Sequence, residues 1–187
     1  MKTIINNVQK TIIIKKSKFI TYTYKVFNLE DVTEILNKIK NDYSDATHIC
    51  YAYIINQDRK YTDDKEPSNT AGKPMFDVLL KNDLNYVLTV VIRYFGGIKL
   101  GSNGLIRAYS SSVKETLNDN TKNIEIGYKI IIDESYQNEK IINYLLKDSI
   151  IIKKDYTNKV YIEAIIKKDK LESLSNINYQ IIEEVII

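Results

Sequence analysis

The sequence predicts an α+β protein built as two domains, and three observations carry that reading. Short β-branched runs alternate with segments whose apolar residues recur at helical spacing. A stretch with no apolar residue, Asn118–Asn123, interrupts the pattern. Beyond it the pattern restarts in the order βαββαβ, the ferredoxin-like split arrangement. The expected domains are residues 1–120, an α/β unit with three helices against one sheet, and residues 121–187.

Residues 3–14 read as one strand ending in Thr11-Ile-Ile-Ile14, and Lys18–Val26 alternates as a second. Leu29, Val32, Ile35, Leu36 and Ile39 mark an amphipathic helix that closes near Asn41-Asp42. Ala46–Asn56 is a strand, and Gln57 to about Asn69 a polar loop. Pro74 suits the first turn of a helix, where a missing N–H costs nothing, and Met75, Val78 and Leu79 continue that helix. Residues 85–95 form a buried strand and 104–118 a helix. In the second domain, Ile124–Ile132 is a strand, Asn138–Leu146 a helix, and Ile150–Lys154 with Val160–Ile166 a hairpin. Asp169–Leu174 is a short helix and Tyr179–Ile187 the last strand.

Composition narrows the function classes. The 187 residues are 44% hydrophobic and 27% charged, ordinary for a globular protein, with a net charge of +3. A mildly basic balance permits nucleic-acid contact without arguing for it. One cysteine excludes an internal disulfide, and no apolar leader or spanning run is visible, so the cytoplasm is the expected location and no membrane is expected. Lysine outnumbers arginine 24 to 3, a usage that follows A/T-rich coding. Arg93 and Arg107 are therefore the more informative cations, because arginine offers planar, bidentate donors.

Both arginines lie in the most unusual stretch, Arg93–Tyr109, which also holds four of the six glycines. It reads as strand, glycine-rich turn and helix, with Ser102 or Asn103 as the helix cap. Such turns offer backbone N–H groups and a positive dipole end to an anion. Gly96 and Gly101 have the spacing of a nucleotide P-loop, but Ser102 stands where its lysine belongs. The candidate anion-binding or nucleic-acid-binding set is Lys73, Arg93, Gly96, Gly97, Lys99, Gly101, Gly104 and Arg107. A tight connection that needs positive φ, with no ligand, is the alternative.

Asp63, Asp64 and Glu66 form an acidic cluster open to two readings, a proton-transfer or cation site and a solvated loop. His48 and Cys50 share one face of a strand; zinc would need two further ligands, and a satisfied core histidine is the plainer reading. Ser110-Ser-Ser112 lacks the surroundings of a nucleophile and reads as small residues at a helix–sheet contact. Tyr94 could stack on a base, whereas Tyr109 lies on the apolar helix face and reads as core. No catalytic residue, metal or cofactor is expected.

The glycine stretch, together with Thr62–Met75 upstream, resembles the signature of the IMPACT/YigZ family of translation-linked proteins. The likeness covers about residues 15 to 120, and His48, Asp63, Asp64, Glu66, Pro67 and Gly72 fall in its motifs. The family usually has glycine where this chain has Lys65 and Asn103; asparagine tolerates positive φ, so the turn can persist. The resemblance implies an N-terminal α/β sandwich like the second domain of a small-subunit ribosomal protein. It also implies a C-terminal domain like the last domain of a translocating elongation factor. The expected function is non-enzymatic binding of RNA or the ribosome in translational regulation. The alternative is an enzyme acting on a phosphorylated small molecule or peptide, with Lys73, Arg93 and Lys99 gripping the anion and Asp64 or Glu66 moving a proton. A protein-interaction module is a third reading, and oligomeric state is left open.

Overall fold

The centre of the first unit is a strand buried along nearly its whole length. Val87–Tyr94 (β6) reads Val-Leu-Thr-Val-Val-Ile-Arg-Tyr, and only the final tyrosine is partly exposed. A strand with two apolar faces needs cover on both sides. The computed structural model, which describes residues 1–187, supplies it. The chain forms two compact units, Met1–Asn123 and Ile124–Ile187.

In the first unit, β2 (Val8–Ile14), β3 (Ser17–Lys25), β4 (His48–Ile55) and β5 (Asp58–Thr62) join β6 in one sheet. The order is β2-β3-β6-β4-β5, and every neighbouring pair is antiparallel. Helix α1 (Leu29–Asp42) covers one face, packing Val32, Leu36 and Ile39 against Ile20, Leu88, Val90 and Ile92. Its start is capped by Asn28, whose side chain accepts from the Asp31 N–H at 2.8 Å. Helices α2 (Gly72–Lys81) and α3 (Ser102–Leu117) cover the other face, with Met75, Leu79, Ala108, Tyr109 and Val113 against Phe19, Cys50, Val87 and Val91.

The single strand expected over residues 3–14 is two. β1 (Lys2–Ile4) separates from β2 at Ile5-Asn6-Asn7 and pairs instead with β7 (Thr121–Asn123). This pairing also ties the polar stretch 118–123, where the sequence pattern is interrupted, to the N-terminal strand. The Asn120 side chain accepts from the Asn6 N–H and donates to its carbonyl, each at 3.0 Å. The stretch is polar because its backbone partners are the N-terminal strand, and the first unit extends to Asn123. β5 lies within the expected polar loop. Four of its five residues are exposed, so it carries no hydrophobic period to read. Its signal is the two-residue turn Asn56-Gln57, with Asn56 at φ 53°.

The second unit is a four-stranded antiparallel sheet of β8 (Ile126–Glu134), β9 (Ile150–Tyr156), β10 (Val160–Lys167) and β11 (Tyr179–Ile186). Their order, β11-β8-β10-β9, is that of a split βαββαβ fold. Helix α4 (Glu139–Leu145) and a 3₁₀ turn, Lys168–Leu174, close its core through Ile142, Leu146 and Leu174. No helix of the chain is long and apolar enough to cross a membrane.

Candidate functional site

Sheet register brings the site residues together. Arg93, near the end of β6, pairs with Phe19 of β3 on one side and His48 of β4 on the other. Cross-strand partners share a face, so these three side chains stand in a row beneath α2 and α3. Tyr109 of α3 meets Phe19 edge to face, at 5.3 Å between ring centroids. Glu66 descends from the acidic loop into this row.

Arg93 is buried, and its Nη1 donates to Glu66 Oε1, an oxygen that also accepts from the Tyr109 hydroxyl at 2.8 Å. The guanidinium carbon lies 5.5 Å from the Phe19 ring centre and 5.6 Å from that of Phe95. Its Nη2 reaches Ser17 Oγ at 3.5 Å, while Nε is buried without a partner. His48 Nδ1 lies 2.7 Å from the Asp64 carbonyl oxygen; a carbonyl only accepts, so Nδ1 carries the hydrogen. Nε2 then faces Glu66 Oε1 at 3.8 Å. Burial pushes the Cys50 thiol and the Tyr109 hydroxyl well above their usual ranges, so both remain protonated.

Above this row opens a cleft of about 450 Å³, lined by His48, Glu66, Arg93, Phe95, Lys99 and the start of α3 at Gly101–Ser102, among others. Gly101, at φ 71°, is the N-cap of α3; no side chain caps the helix, and its first turn contains no acid. The expected caps Ser102 and Asn103 are instead the first helical residues. Asn103 is not among the positive-φ residues, so the tolerance invoked for it is unnecessary. Gly97 (φ 82°) has open space around it. Gly96 does not: a Cβ there would stand 2.0 Å from the Lys16 carbonyl carbon. Gly104 passes Leu100 closely, at 3.0 Å for the corresponding Cβ.

The expected cation set is only partly brought together. Arg93 and Lys99 line the cleft. Arg107 is exposed on α3 and does not line it. Lys73 pairs with Asp77 one helical turn on and faces a separate hollow with Asn69, Ile106 and Lys114. The acidic loop turns largely inward. Asp63 accepts from the N–H groups of Asn69, Ala71 and Gly72 at 2.8–2.9 Å and so caps α2 from a distance. Asp64 Oδ2 accepts from the Ile49 N–H at 2.6 Å. Pro67 lines the cleft, and Gly72 lets α2 start against Thr62, whose carbonyl oxygen a Cβ would meet at 2.4 Å. No three His, Cys, Asp or Glu side chains converge as metal ligands.

Sequence reasoning missed the Glu66–Arg93–Tyr109 connection and the cleft lining by Thr47 and Leu100. No local pattern announces a pair of charges 27 residues apart.

Residues 15–117 match the Impact N-terminal domain family, over more than half of the chain. The chain is 50% identical over 110 residues to the IMPACT family member YvyE of Bacillus subtilis, covering 57% of this chain and 51% of the relative. It is 42% identical over 109 residues to an IMPACT family member of Haemophilus influenzae, covering 56% and 53%. The chain thus spans about half the length of the curated relatives it matches. A crystal structure described as that of a hypothetical protein superposes with a TM-score of 0.66 and 28% identity over 97% of both chains. By the match to its first unit, this chain belongs to the family defined by the Impact N-terminal domain.

Proposed function

We propose that this chain acts in translational regulation by binding RNA, without chemistry, through the cleft at the start of α3. One observation carries the reading. The uncapped N-terminus of α3, Lys99 and Arg93 line a cleft whose rim exposes Phe95. The open helix end and the two cationic side chains suit a phosphate, and the aromatic ring suits a base. Both come together in a nucleotide, and the volume lies within the range of nucleotide-sized ligands. The likeness to translation-linked proteins supplies the cellular context. Net charge at the site comes from Lys99 and the helix end, since Glu66 offsets Arg93.

The test is a salt titration of single-stranded RNA binding by wild type and Lys99→Gln. Phosphate contact gives a linear fall of log affinity with log salt, and losing one contact lowers that slope by about 0.7. Absence of RNA binding at low salt would overturn the reading.

A second reading, an enzyme acting on a phosphorylated small molecule or peptide, draws on His48. Its ring is fixed through Nδ1, and Nε2 is directed to Glu66 at the cleft. That reading gains if a turnover activity is lost in His48→Gln while the thermal midpoint stays unchanged.

A further inference from the structure

The turn between β2 and β3 consists of Lys15 and Lys16, at φ 45° and 66°. Two successive left-handed residues are what a two-residue hairpin of this kind requires, and asparagine or glycine meets that need most easily. Lysine does so at a steric cost. Coding drift does not account for the choice, because the codons of asparagine are as rich in A and T as those of lysine. Strain of this kind also occurs at Lys65, so the position of the turn, and not strain alone, argues for a use of these side chains.

The place of this turn supplies the use. Its backbone lies directly on Gly96, where a Cβ would stand 2.1 Å from the Lys16 carbonyl oxygen, and Ser17 Oγ accepts from the Gly96 N–H at 3.1 Å. Lys18 is the strand partner of Tyr94. The hairpin tip and the glycine turn therefore form one continuous surface. Exposed Phe95 lies beside the contact, and Lys99 follows three residues after Gly96. Lys15, Lys16, Lys18 and Lys99 are all exposed, and none takes part in a salt bridge.

Resting on the RNA reading of the cleft, we propose that the Lys15-Lys16 hairpin tip is a second phosphate-binding arm. It extends the site so that a single strand of RNA runs from the α3 cleft across Phe95 to the hairpin. A single strand is specified because an exposed aromatic ring is useful only to an unpaired base. Duplex RNA would offer phosphates but no base face.

The experiment compares wild type, Lys99→Gln, the double variant Lys15→Asn/Lys16→Asn and the double variant Lys15→Arg/Lys16→Arg. Each is titrated with a mixed-sequence oligoribonucleotide of about 12 nucleotides across low to moderate salt. Asparagine removes both charges yet suits the turn, so the thermal midpoint is expected to hold or rise. The salt slope is expected to fall by about 1.4, two contacts at 0.7 each, and the arginine variant to keep the wild-type slope. RNA binding by wild type with an unchanged slope in the asparagine variant would overturn the hairpin arm and leave the cleft reading intact. Failure of wild type to bind the oligonucleotide, including a result in which it partitions only onto anionic phosphatidylserine vesicles, would overturn both. Equal affinity for duplex and single strands would overturn the role given to Phe95.

Discussion

The acidic loop at residues 63–72 and the glycine-rich loop at 95–102 hold the same place in the sequence, since each carries charge and leads from a strand into a helix. In the folded chain they behave oppositely. The acidic loop spends its polar atoms on the protein. Asp63 accepts three backbone N–H groups, Asp64 holds Ile49 and His48, and Glu66 holds Arg93 and Tyr109. The glycine loop fastens only its beginning, through the Phe95 and Gly96 N–H groups to Thr47 and Ser17, and then leaves an uncapped helix start, an exposed Lys99 and an exposed Phe95. Motif chemistry alone does not distinguish a ligand site from a brace; what remains unsatisfied after folding does.

The largest expected effect breaks the brace at its buried ion pair. Arg93→Met leaves Glu66 charged and unpaired in a site where its side chain is 3% exposed. Loss of one partner of such a pair typically costs about 3–5 kcal/mol. The double variant Arg93→Met/Glu66→Leu is expected to recover most of that loss in urea unfolding. A single variant that loses less than about 1 kcal/mol would show the pair to be solvated, as surface pairs are, and the contrast between the loops would fail.

Asp63→Ala comes next. It removes the acceptor for three N–H groups at the start of α2, and a lost helix cap costs about 1–2 kcal/mol. Amide exchange at Ala71 and Gly72 is expected to accelerate in the variant. Unchanged protection there would mean that water replaces the carboxylate without loss.

On the glycine loop the same kind of change acts differently. Gly97→Ala meets no neighbouring atom, so its cost is conformational alone, about 1–2 kcal/mol for φ 82°. The thermal midpoint is expected to fall slightly, with RNA affinity falling further than that loss of stability explains. A fall in stability alone would make the turn as structural as the acidic loop.

The parts of this contrast were unequally legible in the sequence. Strands β3, β4 and β6 and helices α1, α2 and α3 were readable because burial imposes a period on apolar residues, as along Leu105, Ala108, Tyr109, Ser112 and Val113. Tyr109 reads as core from its place on the apolar helix face, and it is fully buried with its hydroxyl held by Glu66. The expected helix cap at Ser102 or Asn103 was misplaced by one or two residues, since Gly101 takes that position. Glu66 and Arg93 could not be joined, because their partnership exists only after β6 is paired and α3 is laid over it. β5 was invisible for the same reason in reverse: an exposed edge strand is held by backbone hydrogen bonds that leave no side-chain pattern.

The smallest effect separates the two loops most finely, at Lys65. This exposed residue sits in the acidic loop at φ 67°, the left-handed region, where the family likeness leads one to expect glycine. A Cβ in that region costs about 1 kcal/mol, and the gain from removing it is reduced by the greater freedom of glycine in the unfolded chain. Lys65→Gly is therefore expected to stabilise the protein by about 0.5 kcal/mol. If the loop is a brace, that gain comes with no change in RNA affinity or salt slope, because Lys65 neither lines the cleft nor belongs to the hairpin surface. The hairpin at Lys15-Lys16 carries the same backbone strain, yet there relief of strain is expected to cost affinity. Chemical denaturation and salt titration of Lys65→Gly beside Lys15→Asn/Lys16→Asn make the comparison direct. A salt slope that also falls in Lys65→Gly would bring the acidic loop into the binding surface, and left-handed lysines would then mark contact with RNA in both loops.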